Sequence, residues 1–178
     1  MTKLTLKSPK LTVKIIVITA LLIAIRIILS KLSLGSDSLF KVSFGFVGTI
    51  LIGYYLGPWL GGLTMVIYDL LANTIFATGA TFFIGFTFSA FLSGFLAGVF
   101  FHHQNITGLR VFLYEFVQLL ISNIFLTTLW IHLLYQAPLW SLLAVRIPKN
   151  LIMWPIETMI GLVVLNALSK VKSTRLTY

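Results

Sequence analysis

The sequence contains no cysteine and only four acidic residues in 178. The first absence excludes a disulfide framework and thiolate chemistry. The second goes with a charged content of 10 %, far below the roughly 25 % of a soluble domain. No GxxxxGK[ST] phosphate loop is present, so the chain does not supply its own ATPase. HExxH, GxSxG and a paired His/Asp metal set are also missing, and the three histidines at 102, 103 and 132 form no recognisable catalytic arrangement with the scattered acids. These gaps imply no catalytic residues, no metal site and no cofactor. Neither an internal repeat nor a low-complexity segment occurs, which argues against an inverted-repeat transporter.

What is present is apolar length. Hydrophobic residues make up 58 % of the chain, and the composition predicts an all-α, polytopic membrane protein: one domain over 1–178, a bundle of six transmembrane helices. The spans are expected at about 11–29, 42–56, 59–76, 82–101, 111–135 and 147–168. Gly57-Pro58 separates the second from the third by removing a backbone donor. The first run, long and without an early cleavage site, reads as a retained span and not as a signal peptide.

The formal net charge is +9. Its cations gather at span ends instead of on one soluble face, so nucleic acid is not expected as a partner. Counting Lys and Arg, with Lys3, Lys7, Lys10, Lys14, Arg110, Lys170, Lys172 and Arg175 on one side against Lys31, Lys41, Arg146 and Lys149 on the other, places both termini in the cytoplasm. Span directions then put most intramembrane polar groups in the outer half: Arg26, Asp69, Asn73, Thr87, Asn123, Trp130, His132, Lys149, Asn150 and Glu157. Glu115 and Gln118 fall in the inner half. Such groups are costly in a bilayer and usually face a bundle interior or wet cavity. Their lopsided placement predicts a blind cup open to the outside, with a cationic floor or rim for an anion. The plainer alternative for Asp69 is a structural ion pair with Arg26 or another cation. Asn123 fits equally well as an interhelical hydrogen bond, and His132 as an interfacial residue.

Three further features stand out. Ala20 and Ala24, four apart in the first span, form a small-residue strip where another helix can approach. In the fourth span Gly85, Ser89, Ser93 and Ala97 recur every four residues beside Ala90, Gly94 and Gly98, a pattern for close helix packing. Phe82, Phe83, Phe86 and Phe88 crowd the outer end of that span, with Phe40, Phe44 and Phe46 after the first loop; flat rings of this kind can sandwich a heterocycle or simply face lipid.

Across nearly the whole chain the sequence resembles the substrate-binding S components of energy-coupling factor (ECF) vitamin transporters, in particular the folate-specific group. The resemblance is carried by Ala20-Leu-Leu-Ile-Ala24, Arg26-Ile-Ile-Leu-Ser30, Gly45-Phe46, Leu56-Gly57-Pro58-Trp59 with Gly61-Gly62, Asp69-Leu70-Leu71 and Phe83 to Ala90. Asn123, Thr128-Leu129-Trp130 and Arg146-Ile147-Pro148-Lys149-Asn150 complete it. It implies a six-helix cell-membrane subunit that captures a vitamin outside and works with a transmembrane coupling subunit, gripping the alanine strip, and two cytosolic ATPases. Folate's chemistry fits the outer-half residues: Phe83 and Trp130 as stacking faces, Asn123 and Asp69 as hydrogen-bond partners, and Arg26, Arg146 and Lys149 for the tail carboxylates, the two arginines ahead of Lys149 because a guanidinium forks a carboxylate; Asn150 is a further candidate. The alternatives are an S component for another vitamin and an intramembrane enzyme acting on lipid or isoprenoid.

Overall fold

A computed structural model of the chain describes residues 6–34, 42–75 and 82–170. Lys3, Lys41, Lys172 and Arg175 of the topology count, Phe40, and the connection expected at 77–81 lie outside the described residues. The elements are α1 (Val13–Lys31), β1 (Ser33–Leu34), β2 (Val42–Ser43), α2 (Gly45–Thr74), α3 (Ile84–Phe101), α4 (Gly108–Gln118), a π-helical stretch (Leu119–Leu126), α5 (Thr127–Tyr135) and α6 (Leu139–Lys170). The π stretch joins α4 to α5 in one rod, Gly108–Tyr135, so that among the described residues five helices are long and apolar enough to cross a membrane. The all-helical expectation holds apart from the β1–β2 ladder, antiparallel with Ser33 opposite Ser43 and Leu34 opposite Val42.

The continuous run of α2 hides a break. Gly57 sits at φ 72°, ψ −172°, a conformation closed to most L side chains, and Pro58 follows it. Proline at the first position of a new helical segment loses nothing, because that N–H has no intrahelical acceptor. The next two amides do need one. Ser8 Oγ provides it, accepting from Trp59 N at 3.0 Å and Leu60 N at 3.3 Å. A residue 51 positions upstream therefore caps the second half of α2.

The tightest packing is between α2 and α3. A Cβ built on Gly98 would lie 2.3 Å from Gly57 C and Pro58 N, and one on Gly94 would lie 2.4 Å from Gly61 O. The small-residue pattern of α3 thus becomes backbone lying on backbone, where dispersion gains come from close approach and not from solvent exclusion. Two apolar clusters flank this seam. One joins Ile50, Tyr54, Ala97, Phe101, Val111, Tyr114 and Leu165; the other joins Ile15, Leu22, Ile52, Leu56 and Met65.

α6 begins at Leu139, ahead of the start expected at Ile147, and carries Pro148 and Pro155 inside it. Proline is tolerated in membrane helices because neighbours re-satisfy the freed backbone groups. It runs antiparallel to the α4–α5 rod: Arg146 Nη1 donates to Asn123 O at 3.3 Å, Trp154 Nε1 to Phe112 O at 3.1 Å, and Gly161 lies against Val111.

Candidate ligand cavity

A glycine brings Arg26 to the centre. A Cβ on Gly48 would lie 2.9 Å from Arg26 Cβ, so α1 and α2 touch there and the arginine stem runs along α2. Its Nη1 donates to Gly45 O and to Thr49 Oγ1, and the guanidinium stands 4.3 Å from the centre of the Tyr68 ring. The charge is thereby met by a carbonyl, a hydroxyl and a ring face. The Nε atom is buried with no hydrogen-bond partner among the described residues.

Arg26 lines a cavity of about 440 Å³ formed by α1, α2, α3, the α4–α5 rod and α6. Five of the expected binding residues meet there: Arg26, Asp69, Asn123, Lys149 and Asn150. Asp69 does not pair with Arg26. Its carboxylate accepts from Thr87 Oγ1 at 2.7 Å and Asn73 Nδ2 at 3.0 Å, a knot between α2 and α3. Asn123 offers its carbonyl to Arg146, while His132 Nδ1 lies 2.7 Å from Ala137 O and serves the end of α5.

Phe83, Trp130 and Arg146 are not among the cavity's lining residues. Phe83 and Trp130 pack on each other with ring centres 5.8 Å apart. Trp130 reaches the wall indirectly, its Nε1 donating to Ser89 Oγ at 2.9 Å. Arg146 touches the wall only through the Asn123 carbonyl. Of the phenylalanines, Phe46 lines the cavity.

Glu115 and Gln118, placed in the inner half and left out of the expected binding set, line the same cavity, together with Tyr68, Tyr114, Ser93 and Glu157. The cup is accordingly not cationic throughout. Two cations, Arg26 and Lys149, face three carboxylates, Asp69, Glu115 and Glu157. One signal for the missed pair was in the sequence: Glu115, Gln118 and Ser122 fall at i, i+3, i+7, a polar stripe on one helix face. Chemically the wall can fork a carboxylate at Arg26 and accept N–H donors at its acid end.

With this geometry in place, the comparisons with known proteins define the class. Residues 14–165 match the family described as ECF transporter, substrate-specific component, and the chain belongs to it. It is a multi-pass membrane protein, the substrate-specific part of a transporter. Among particular relatives, the folate transporter FolT of Leuconostoc mesenteroides is 37 % identical over 164 residues, covering 89 % of this chain and 88 % of that one. FolT of Clostridium novyi is 29 % identical over 148 residues, covering 83 % and 86 %. A crystal structure of FolT bound with folic acid matches the fold with a TM-score of 0.79 and 30 % identity, over 88 % of this chain and 95 % of that one.

Proposed function

We propose that the chain is the folate-binding subunit of an ECF-type importer. It captures folate from outside in the cavity around Arg26 and delivers it through a transmembrane coupling subunit and two cytosolic ATPases. The observation that carries the reading is the meeting of Arg26, Lys149, Asn123 and Asn150 with aromatic and acidic groups in one cavity of about 440 Å³. That volume lies within the range of drug-sized ligand sites. The likeness to folate transporters and to a folic acid-bound structure points the same way.

In this reading α2 counts as two spans broken at Gly57, giving six, with both termini cytoplasmic as the Lys/Arg distribution favours. Lys149 and Asn150 take the tail carboxylates with Arg26; Arg146 holds Asn123 in place and so supports the ligand as a whole. Phe83 and Trp130 brace the wall at Ser89 instead of stacking directly on the ligand. Ala20 and Ala24 form the docking strip for the coupling subunit. Both are exposed, on a helix whose Val13, Val17 and Leu21 are also exposed.

Isothermal titration of the detergent-purified chain with folic acid tests the reading. One site per chain is expected, with affinity lost on acidic competition by folic acid analogues and untouched by thiamine. A cationic vitamin is the second reading, favoured by the three carboxylates; saturable thiamine binding without folic acid binding would establish it.

A further inference from the structure

Glu115 is 3 % exposed, yet its Oε1 has no hydrogen-bond partner among the described residues. A buried carboxylate oxygen left in that state is expensive unless a donor arrives. One turn on, Gln118 is in a matching state: its Oε1 is buried and unpartnered too. The orientation of this amide is set by its other end. Ser93 Oγ donates to Ser89 O at 2.9 Å, so toward Gln118 it accepts, and Gln118 Nε2 is the donor at 2.5 Å. The amide nitrogen is thus occupied and the oxygen is left over. Residues three apart on a helix lie on one face, and both side chains line the cavity.

The result is a pair of acceptors on one helix face with no donor to either oxygen among the described residues. The group that satisfies two adjacent acceptors is a donor–donor edge, a ring N–H beside an exocyclic amine, as in a 2-amino-4-oxo heterocycle. A carboxylate tail would be repelled there. Lys149 lies elsewhere: Gly161 of α6 is beside Glu115, whereas Arg146 is beside Asn123. Lys149 is therefore displaced along α6 from the acid end, by about 12 Å from Glu157 at 1.5 Å per residue.

We propose that Glu115 and Gln118 form the specificity-determining acceptor pair that reads the N3–H and 2-amino edge of the ligand's heterocycle, with the cationic Lys149 level left for its tail. This rests on the folate reading above and adds the group that distinguishes a 2-aminopterin from other flat rings.

The test removes the donor from the ligand and the acceptor from the protein. Folic acid and its 2-desamino-2-methyl analogue are titrated into the wild-type chain and into Glu115→Gln and Gln118→Leu, with thermal unfolding confirming that each variant is folded. Wild type should bind the analogue at least tenfold more weakly than folic acid, the scale of one charge-assisted hydrogen bond. Glu115→Gln introduces an NH₂ that opposes the donor edge, and should weaken folic acid at least tenfold and the analogue, which keeps only N3–H, by a smaller factor. Gln118→Leu should weaken folic acid in the same direction. Equal affinity of the wild type for both compounds overturns the inference alone, without any variant. Failure of the wild type to bind folic acid at all overturns the folate reading and this inference together.

Discussion

The Arg26 guanidinium lies 4.3 Å from the centre of the Tyr68 ring, and its Nη1 is held by Gly45 and Thr49. A cation in the bundle is thus fixed by α2 on three sides, with Asp69 engaged elsewhere by Asn73 and Thr87. Removing the cation takes a charged donor from both acceptors, leaving Gly45 O, among the described residues, only the longer 3.4 Å bond from Thr49 Oγ1. Arg26→Ala should weaken folic acid binding and destabilise the fold by about 1.5–3 kcal/mol. Arg26→Lys should recover stability in part, because an ammonium cannot reproduce the planar fork. Titration and detergent unfolding of both variants check this; unchanged affinity in Arg26→Ala would remove the arginine from the site.

Lys149 and Arg146 separate direct from indirect action on the tail. Lys149 lines the cavity, whereas Arg146 reaches only the Asn123 carbonyl. Lys149→Ala should weaken folic acid several-fold more than pteroic acid, which lacks the glutamate. Arg146→Ala should weaken both alike, by loosening Asn123. Titrations with the two ligands decide, and a selective loss of folic acid in Arg146→Ala would reverse the assignment.

Gly98 tests the α2–α3 seam. A methyl group there would meet the Gly57 and Pro58 backbone at 2.3 Å. Neither backbone can yield as a flexible side chain does, so Gly98→Ala should cost about 1–3 kcal/mol of stability. The measurement is thermal unfolding in detergent. A variant as stable as the wild type would mean that the two helices do not approach so closely.

How much of this was legible beforehand differs from element to element. The Gly57-Pro58 break could be read directly, since both residues act on their own backbone. The α3 packing pattern was equally plain, because small residues every four positions have one meaning at a helix interface. Arg26, Asp69, Asn123, Lys149 and Asn150 were found because intramembrane polar groups are rarely idle. Glu115 and Gln118 were left out of the expected site because polar groups were sorted by distance from span ends, and that sorting does not say which helix face meets a cavity. Phe83, Trp130 and Arg146 were given direct contact from their chemical type, aromatic face or cation, which does not say which way a side chain faces. For Trp130 the facing is also shifted by the π stretch Leu119–Leu126, where Thr127 Oγ1 bonds Ser122 O five residues back at 2.6 Å. The start of α6 was set too late because Pro148 looks like a boundary in a soluble protein and is not one here.

His102 offers a pH test outside the spans. It caps α3, and its Nδ1 lies 3.0 Å from the Tyr54 carbonyl, which makes Nδ1 the protonated nitrogen of the neutral ring. Burial lowers its pKa below the ordinary 6.5, outweighing the Tyr54 hydrogen bond that raises it. The unfolded chain therefore takes up the proton first as pH falls. The stability it contributes is complete above 6.5 and is lost as pH drops from there toward the lowered folded value. His102→Asn, which keeps a donor near the Nδ1 position, should flatten that part of the stability profile. An unchanged acid-side slope would show that His102 is not its source.

The alanine strip is tested by separating capture from delivery. Ala20→Trp and Ala24→Trp place bulk on an exposed face of α1, away from the cavity lining. Folic acid binding should persist within threefold, while uptake by cells carrying the complete transporter should cease. Normal uptake in both variants would place the docking surface elsewhere.

The most direct measurement is native mass spectrometry of the chain purified in detergent from cells grown with folate, thiamine and riboflavin. The account predicts one folate bound per chain, displaced by excess folic acid and lost in Arg26→Ala. Thiamine or riboflavin in its place would contradict it.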